Sequence, residues 1–115
     1  MPTTRLTLRL LHDGDIAIGP GKAELLEAIR ATGSISAAGR RMGLSYRRAW
    51  LLVDTMNRAF AKPLVTAAKG GVKGGGAVLT SDGEAVLTAF RKAEAAALTA
   101  VATPLATITV LLAKV

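Results

Sequence analysis

The 115-residue chain contains no cysteine and only one histidine. Without cysteine it can form no disulfide, no thiolate zinc site and no cysteine nucleophile, and the composition is typical of a reducing compartment, so we expect a cytoplasmic protein. His12 precedes an expected turn and has no second base or ligand set around it. Metal centres and nucleophilic triads therefore lack their residues, and we expect neither a cofactor nor an enzyme.

A nucleotide-binding loop of the P-loop type is also missing. That loop requires a glycine, four residues, and then Gly-Lys followed by Ser or Thr. In this chain Lys73 is followed by Gly74, and Gly21-Lys22 is followed by Ala23. The sequence therefore disfavours nucleotide hydrolysis.

Acidic residues are nearly absent from residues 34–80, where Asp54 stands alone beside eight basic residues. The remainder of the chain has seven acidic and seven basic residues, so this segment carries the whole net charge of +7. A protein that needed charge only for solubility would spread it over its surface. The concentration of charge indicates a polyanionic partner, and we expect that partner to be double-stranded DNA.

The first third of the chain predicts a hairpin followed by a helix. Apolar and polar residues alternate over residues 5–11, which is typical of a strand, and residues 16–18 predict a short return strand. Asp13-Gly14 marks the turn between them. A helix then begins at Pro20, because proline suits the first helical position, and ends at Gly33.

A second, short helix and a tight turn come next. Ser34 or Ser36 can cap this helix, which we expect to run through Met42. Gly43 can adopt the left-handed conformation that ends a helix, and Leu44 fills the turn.

A third helix follows, capped by Ser45 and ending near Ala61, because Pro63 cannot continue it. With the preceding helix it completes a helix-turn-helix over residues 34–61. Apolar residues at spacings of three and four form a stripe that we expect to face the core. The stripe consists of Ala49, Trp50, Val53, Met56 and Phe60.

Residues 64–80 predict a β-hairpin, or wing, because short strands at 64–66 and 77–79 enclose a stretch with five glycines and two lysines. Glycine lets a backbone approach a ligand closely and exposes peptide donors, which suits contact with the backbone or minor groove of DNA. The same glycines also suit a long turn without a ligand. The expected contacts are Lys69, Gly70, Gly71, Lys73, Gly74 and Gly75.

The last third predicts a long helix and an apolar tail. Ser81 or Asp82 can cap the helix, which we expect over residues 82–102 as a dimerisation element. For the tail, residues 103–115, the pattern fits a strand and a helix equally well. The uncharged stretch 95–113 approaches membrane-spanning length, but four threonines and an internal proline favour a buried dimer-forming element. We therefore expect a homodimer and no membrane association.

The order strand, three helices, hairpin and long helix is that of a winged helix-turn-helix. We expect a single domain over residues 1–115. Its fold class is mainly α with a small β-hairpin and a long C-terminal dimerisation helix.

Two arginines in the first turn of the third helix give the strongest functional signal. Arg47 and Arg48 lie where the helix dipole is already positive, which costs about 0.3–1 kcal/mol for each charge. Such a placement favours an anionic partner, since arginine can bridge O6 and N7 of guanine or bind a phosphate. Ordinary solvated arginines are the alternative. Further expected DNA contacts are Ser34, Ser36, Arg40, Arg41, Ser45, Tyr46, Leu51, Thr55 and Arg58.

Several strings in the same region are distinctive. They are Gly33-Ser34-Ile35-Ser36, Gly43-Leu44-Ser45-Tyr46-Arg47, Ala49-Trp50, Met56-Asn57, and the stretch 70–80 followed by Gly83. From about Leu6 to Ala102 the chain resembles the DNA-binding domain of ModE-type molybdate-dependent transcription regulators. The Gly-Ser-x-Ser opening alone is shared with LysR-type regulators.

This resemblance implies a dimer formed through the helix after the wing and bound to a palindromic operator near molybdate-uptake or molybdoenzyme genes. Such regulators usually continue into C-terminal oxyanion-binding domains, which these 115 residues do not include. A separate effector-sensing protein is therefore a further expected partner.

We expect a sequence-specific DNA-binding transcription regulator. The alternative is an architectural or adaptor protein that acts through protein contacts or binds DNA without sequence preference.

Overall fold

The computed structural model describes residues 4–68 and 76–113. Within these ranges the chain forms four strands and five helices. They are β1 (Leu10–His12), β2 (Asp15–Ile18), α1 (Pro20–Thr32), α2 (Ile35–Arg41), α3 (Tyr46–Ala59), β3 (Val65–Ala68), β4 (Gly76–Leu79), α4 (Ser81–Ala100) and α5 (Ala102–Val110).

Helix α1 lies at the centre of the core. It begins with Pro20 and ends at Gly33, as predicted, and the Gly33 N–H donates to the carbonyl of Ile29 at 2.7 Å. The helix packs against α2, α3, α4 and strand β4. Leu25, Leu26 and Ile29 form its fully buried face. Burying aliphatic side chains of this size contributes about 1.5–3 kcal/mol each, so this face anchors the other elements.

The β1–β2 hairpin is shorter than the alternating pattern predicted. Leu10–His12 pairs antiparallel with residues of Asp15–Ile18, whereas residues 5–9 belong to no strand. A strand needs a partner for its ladder of hydrogen bonds, and β2 offers only four residues. The prediction of a strand over residues 5–11 is therefore wrong for residues 5–9.

Thr80 caps α4, where the sequence predicted Ser81 or Asp82. The Thr80 Oγ1 accepts a hydrogen bond from the Gly83 N–H at 3.0 Å and donates to the Pro63 carbonyl at 2.8 Å. Its backbone is extended, with φ of −75° and ψ of 173°, as a capping residue requires. The predicted cap is thus wrong by one residue.

Two ion-pair groups fasten α4 to α1. Arg30 Nη1 lies 2.8 Å from Glu84 Oε1, and the Arg91 guanidinium donates to both carboxylate oxygens of Glu27, at 2.7 and 3.1 Å. Arg91 also donates to Glu94 at 2.7 Å. The hydrogen bond from Arg91 lowers the pKa of Glu27, and the bonds to Glu27 and Glu94 raise the pKa of Arg91. These pairs are partly solvated, so they orient α4 more than they stabilise the fold.

The apolar tail is helical over Ala102–Val110 and bends by 65° from α4. Pro104 fits because it lies in the first turn of α5, where its missing N–H removes no helical hydrogen bond. Every residue of α5 is exposed or half-exposed. No single helix in the described part of the chain is long and apolar enough to cross a membrane, although α4 and α5 reach that length and hydropathy together.

Helices α2 and α3 with their connecting turn form a helix-turn-helix, β3–β4 follows as a wing, and α4 returns against α1. The chain is therefore a winged helix-turn-helix, which confirms the predicted mainly α fold with a small β-hairpin and a long C-terminal helix. The molecule measures 54 × 30 × 24 Å. It is elongated because the buried residues of α4, namely Gly83, Leu87 and Phe90, all lie in the first half of that helix.

Candidate nucleic-acid interface

The turn between α2 and α3 depends on Gly43. Its φ of 73° lies in the left-handed region that glycine adopts without strain. The Leu44 N–H then donates to the carbonyl of Gly39 at 2.8 Å, which closes the turn. This geometry fixes the direction in which α3 leaves α2.

Serine caps start both helices of the motif. The Ser34 Oγ accepts a hydrogen bond from the Ala37 N–H, and the Ser45 Oγ accepts one from the Arg48 N–H, each at 3.1 Å. Of the two residues predicted to cap α2, Ser34 therefore does so and Ser36 does not. The Ser45 cap is confirmed as predicted.

Helix α3 buries one side and presents the opposite side to solvent. Ala49, Val53 and Met56 are buried in the core. The exposed residues on the opposite side recur at helical spacing and define the outward face. The outward face consists of Arg47, Leu51, Asp54 and Arg58.

Asp54, the single acidic residue of segment 34–80, forms an ion pair on this outward face. Arg58 Nη2 lies 2.9 Å from Asp54 Oδ2, one helical turn earlier. Both side chains remain largely exposed, so the pair is weak and easily exchanged for a stronger anionic partner. Arg47 and Leu51 lie at the N-terminal end of the same face.

Arg48 and Thr55 lie on the flank of α3, away from the centre of the outward face. Arg48 is exposed, whereas Thr55 is half-buried and its Oγ1 donates to the Leu52 carbonyl at 3.1 Å. Thr55 and Arg58 line a cavity of about 700 Å³ that separates the end of α3 from the β1–β2 turn. The structure thus brings Arg47, Leu51 and Arg58 together and sets Arg48 and Thr55 beside them.

The remaining predicted residues of the helix-turn-helix border this surface. Arg40 and Arg41 end α2 and are both exposed. Ser36 is half-buried in the first turn of α2. Tyr46 opens α3 and is 65% exposed.

Trp50 lies at the surface, where the sequence predicted a core position. Its side chain is 46% exposed, and its ring centroid lies 6.1 Å from that of Tyr46 with the planes tilted by 57°. The expectation of burial was wrong because Ala49, Val53 and Met56 already fill the core side of α3. Trp50 occupies the edge of the apolar stripe.

Asn57 joins α3 to the wing, and sequence reasoning gave it no role of its own. Its Oδ1 accepts hydrogen bonds from the N–H groups of Leu64 and Val65 at 2.9 and 3.1 Å, and its Nδ2 donates to the Val65 carbonyl at 3.0 Å. The only signal available was the Met56-Asn57 string in the family resemblance. The clamp sets the position of β3 against α3.

The wing strands pair in register from Val65↔Leu79 to Ala68↔Gly76. The Ala77 N–H donates to the Gly33 carbonyl at 2.9 Å, which ties β4 to the end of α1. The predicted contacts Lys69, Gly70, Gly71, Lys73, Gly74 and Gly75 lie outside the described residues. Among residues 4–68 and 76–113, no group of three or more His, Cys, Asp or Glu side chains is placed to hold a metal ion.

No protein-family model matches the chain. Over 78 residues it is 54% identical to the molybdenum-pterin-binding protein MopB of Rhodobacter capsulatus, covering 68% of this chain and 29% of MopB. Over 96 residues it is 40% identical to the molybdenum transport protein ModE of Azotobacter vinelandii, covering 82% and 36%. The chain is therefore a homologue of one part of the ModE and Mop proteins. It is also 38% identical over 85 residues to the DNA-binding transcriptional dual regulator ModE of Escherichia coli K12, covering 74% and 32%.

The ModE resemblance inferred from the sequence is thereby confirmed. The chain spans about a third of the length of these curated relatives. Most of the strings that carried the resemblance lie where two elements of this fold meet. They begin α2 and α3, contain the Asn57 clamp, and supply strand β4 and the start of α4, where Gly83 packs closely against Leu64.

Proposed function

We propose that this chain is the DNA-binding part of a transcription regulator, with α3 in the major groove of duplex DNA. The observation that carries the proposal is the outward face of α3. It offers arginines and an apolar side chain from a rigid, capped helix, and its one acid is neutralised by Arg58. The first residues of such a helix are the ones that reach base edges.

In this proposal the centre of the outward face contacts bases, and the residues around it contact phosphates. Arg47 reads a guanine edge, and Leu51 contacts a thymine methyl group. Phosphate contacts, which position the protein without reading sequence, come from the surrounding donors. These donors are Ser34, Ser36, Arg40, Arg41, Ser45, Tyr46, Arg48, Thr55 and Arg58, together with Lys69, Lys73 and the wing glycines Gly70, Gly71, Gly74 and Gly75.

The proposal extends to the organisation of the domain and its partners. Residues 34–61 act as the reading motif, 64–80 as the wing and 82–102 as the dimerisation helix, with the apolar tail at 103–115. A homodimer is supported by the large exposed apolar side chains of Leu98, Ile108, Val110 and Leu111. A cytoplasmic location follows from the proposed access to DNA, and a separate polypeptide would supply effector sensing.

The same apolar tail favours a second candidate function. An architectural or adaptor protein would use α5, whose residues are all exposed or half-exposed, to join a larger complex. Such a protein would bind DNA through charge alone, or would not bind it. The two functions differ in how affinity depends on DNA sequence.

Arg47→Ala tests the reading role. We expect it to weaken binding to the preferred duplex by about 1–3 kcal/mol and to relax preference near one base pair, because a bidentate guanine contact is lost. Arg48→Ala should weaken all duplexes by a similar factor, since a phosphate contact carries no sequence information. Fluorescence anisotropy with a panel of single-base variants measures both.

Lys92→Ala is the matched control, because it removes the same charge from an exposed position on α4. It should leave affinity nearly unchanged. If Arg47→Ala lowered affinity equally for every duplex in the panel, the base-reading role of Arg47 would be wrong.

A further inference from the structure

A cleft separates helices α2 and α3 from the wing strands. Its lining includes Ser36 of α2 and Trp50 of α3 on one side and Thr66, Ala67 and Gly76 on the other, and we name it the wing cleft. Its volume is about 220 Å³. No charged side chain of the described residues lines it, although it lies within the segment 34–80 that carries the net charge of +7.

Trp50 is the largest side chain on the wall of this cleft. It exposes 46% of its surface beside the exposed ring of Tyr46, in a segment otherwise rich in arginine and lysine. An indole presents a flat apolar face together with one N–H donor. An exposed aromatic with these two properties suits a partner that offers an apolar surface beside a hydrogen-bond acceptor.

The position of the cleft identifies that partner. The major groove is about 12 Å wide and admits one helix, so a hairpin packed against the flank of α3 cannot enter it as well. The wing must lie over the strand that borders the groove, and that strand must cross the open mouth of the wing cleft. The net charge of +7 on residues 34–80 complements the phosphates of this DNA strand.

We propose that the wing cleft holds the sugar–phosphate backbone of one DNA strand, with the indole of Trp50 packed on a deoxyribose. The hydroxyl groups of Ser36 and Thr66 lie beside the adjoining phosphate. This inference rests on the proposed function, and it gives Trp50 a contact that the sequence did not assign.

Trp50 is the only tryptophan of the chain, so its fluorescence reports on this contact directly. On binding a preferred duplex, the wild-type protein should show a fall of at least about twofold in the acrylamide quenching constant, because a deoxyribose would cover the exposed indole face. Binding itself is followed independently by the anisotropy of a label on the DNA. Binding with an unchanged quenching constant overturns this inference alone. A complete lack of duplex binding overturns the proposed function and this inference together.

Substitution separates a sugar contact from a base contact. Trp50→Ala should lower affinity about tenfold for preferred and scrambled duplexes alike, since deoxyribose is common to both. Trp50→Phe should retain most of the affinity. If Trp50→Ala changed the preference at one base pair, the indole would read a base and the backbone assignment would be wrong. Circular dichroism confirms that each variant is folded, and the wild-type quenching result stands if one is not.

Discussion

Gly83→Ala should destabilise the protein by about 3 kcal/mol, which for a domain of this size lowers the melting temperature by roughly 10 °C. A Cβ at this position would lie 2.2 Å from the carbonyl oxygen of Leu64. The Leu64 carbonyl group belongs to the backbone and cannot rotate aside as a side chain could. Helix α4 must therefore move away from the start of the wing. Alanine normally stabilises a helix relative to glycine by about 1 kcal/mol, and here the clash outweighs that gain.

Gly21→Ala is the matched control, because it lies in α1 and a Cβ there would meet no atom of residues 4–68 and 76–113 within 4 Å. We expect it to raise stability by about 0.4–1 kcal/mol. Thermal unfolding followed by circular dichroism measures both variants. A rise in melting temperature for Gly83→Ala would contradict the close packing of α4 on Leu64.

Asn57→Ala should have the second large effect, a loss of about 3 kcal/mol in the free energy of unfolding. The substitution removes three hydrogen bonds and leaves the N–H groups of Leu64 and Val65 without their partner. Both residues are buried, so water cannot readily replace the amide. DNA affinity should fall as well, because the wing is no longer held against α3.

Thr55→Ala provides the comparison on the same helix. Among the described residues its hydroxyl bonds only to the Leu52 carbonyl, within α3, so its removal should cost less than about 1 kcal/mol. Urea unfolding gives the two values side by side. Equal losses for Asn57→Ala and Thr55→Ala would show that the clamp contributes little to the stability of the fold.

Local chemistry made the first three helices predictable. Pro20, the left-handed turn at Gly43 and the serine caps act within a few residues of themselves, so their effects can be inferred from neighbouring positions alone. The same local logic placed Arg47 at the start of α3.

Features that depend on distant partners could not be predicted in the same way. The alternation over residues 5–9 finds no partner strand in the part of the chain that the structure describes, and the clamp by Asn57 requires β3 to fold back onto α3. Trp50 fits the helical period of the core stripe, yet it lies at the surface because Ala49, Val53 and Met56 already occupy the buried side of α3. The tail could not be assigned because its β-branched residues favour a strand whereas its alanines and leucines favour a helix. In the structure α5 is helical.

The most direct test of a DNA-reading outward face is the ratio of two affinities. A duplex selected from a random pool and a scrambled duplex of the same length and composition are titrated with the wild-type protein at about 0.15 M salt. A regulator should prefer the selected duplex by about a thousandfold or more. Equal affinity for the two duplexes would contradict sequence reading by α3 and leave the architectural function in its place.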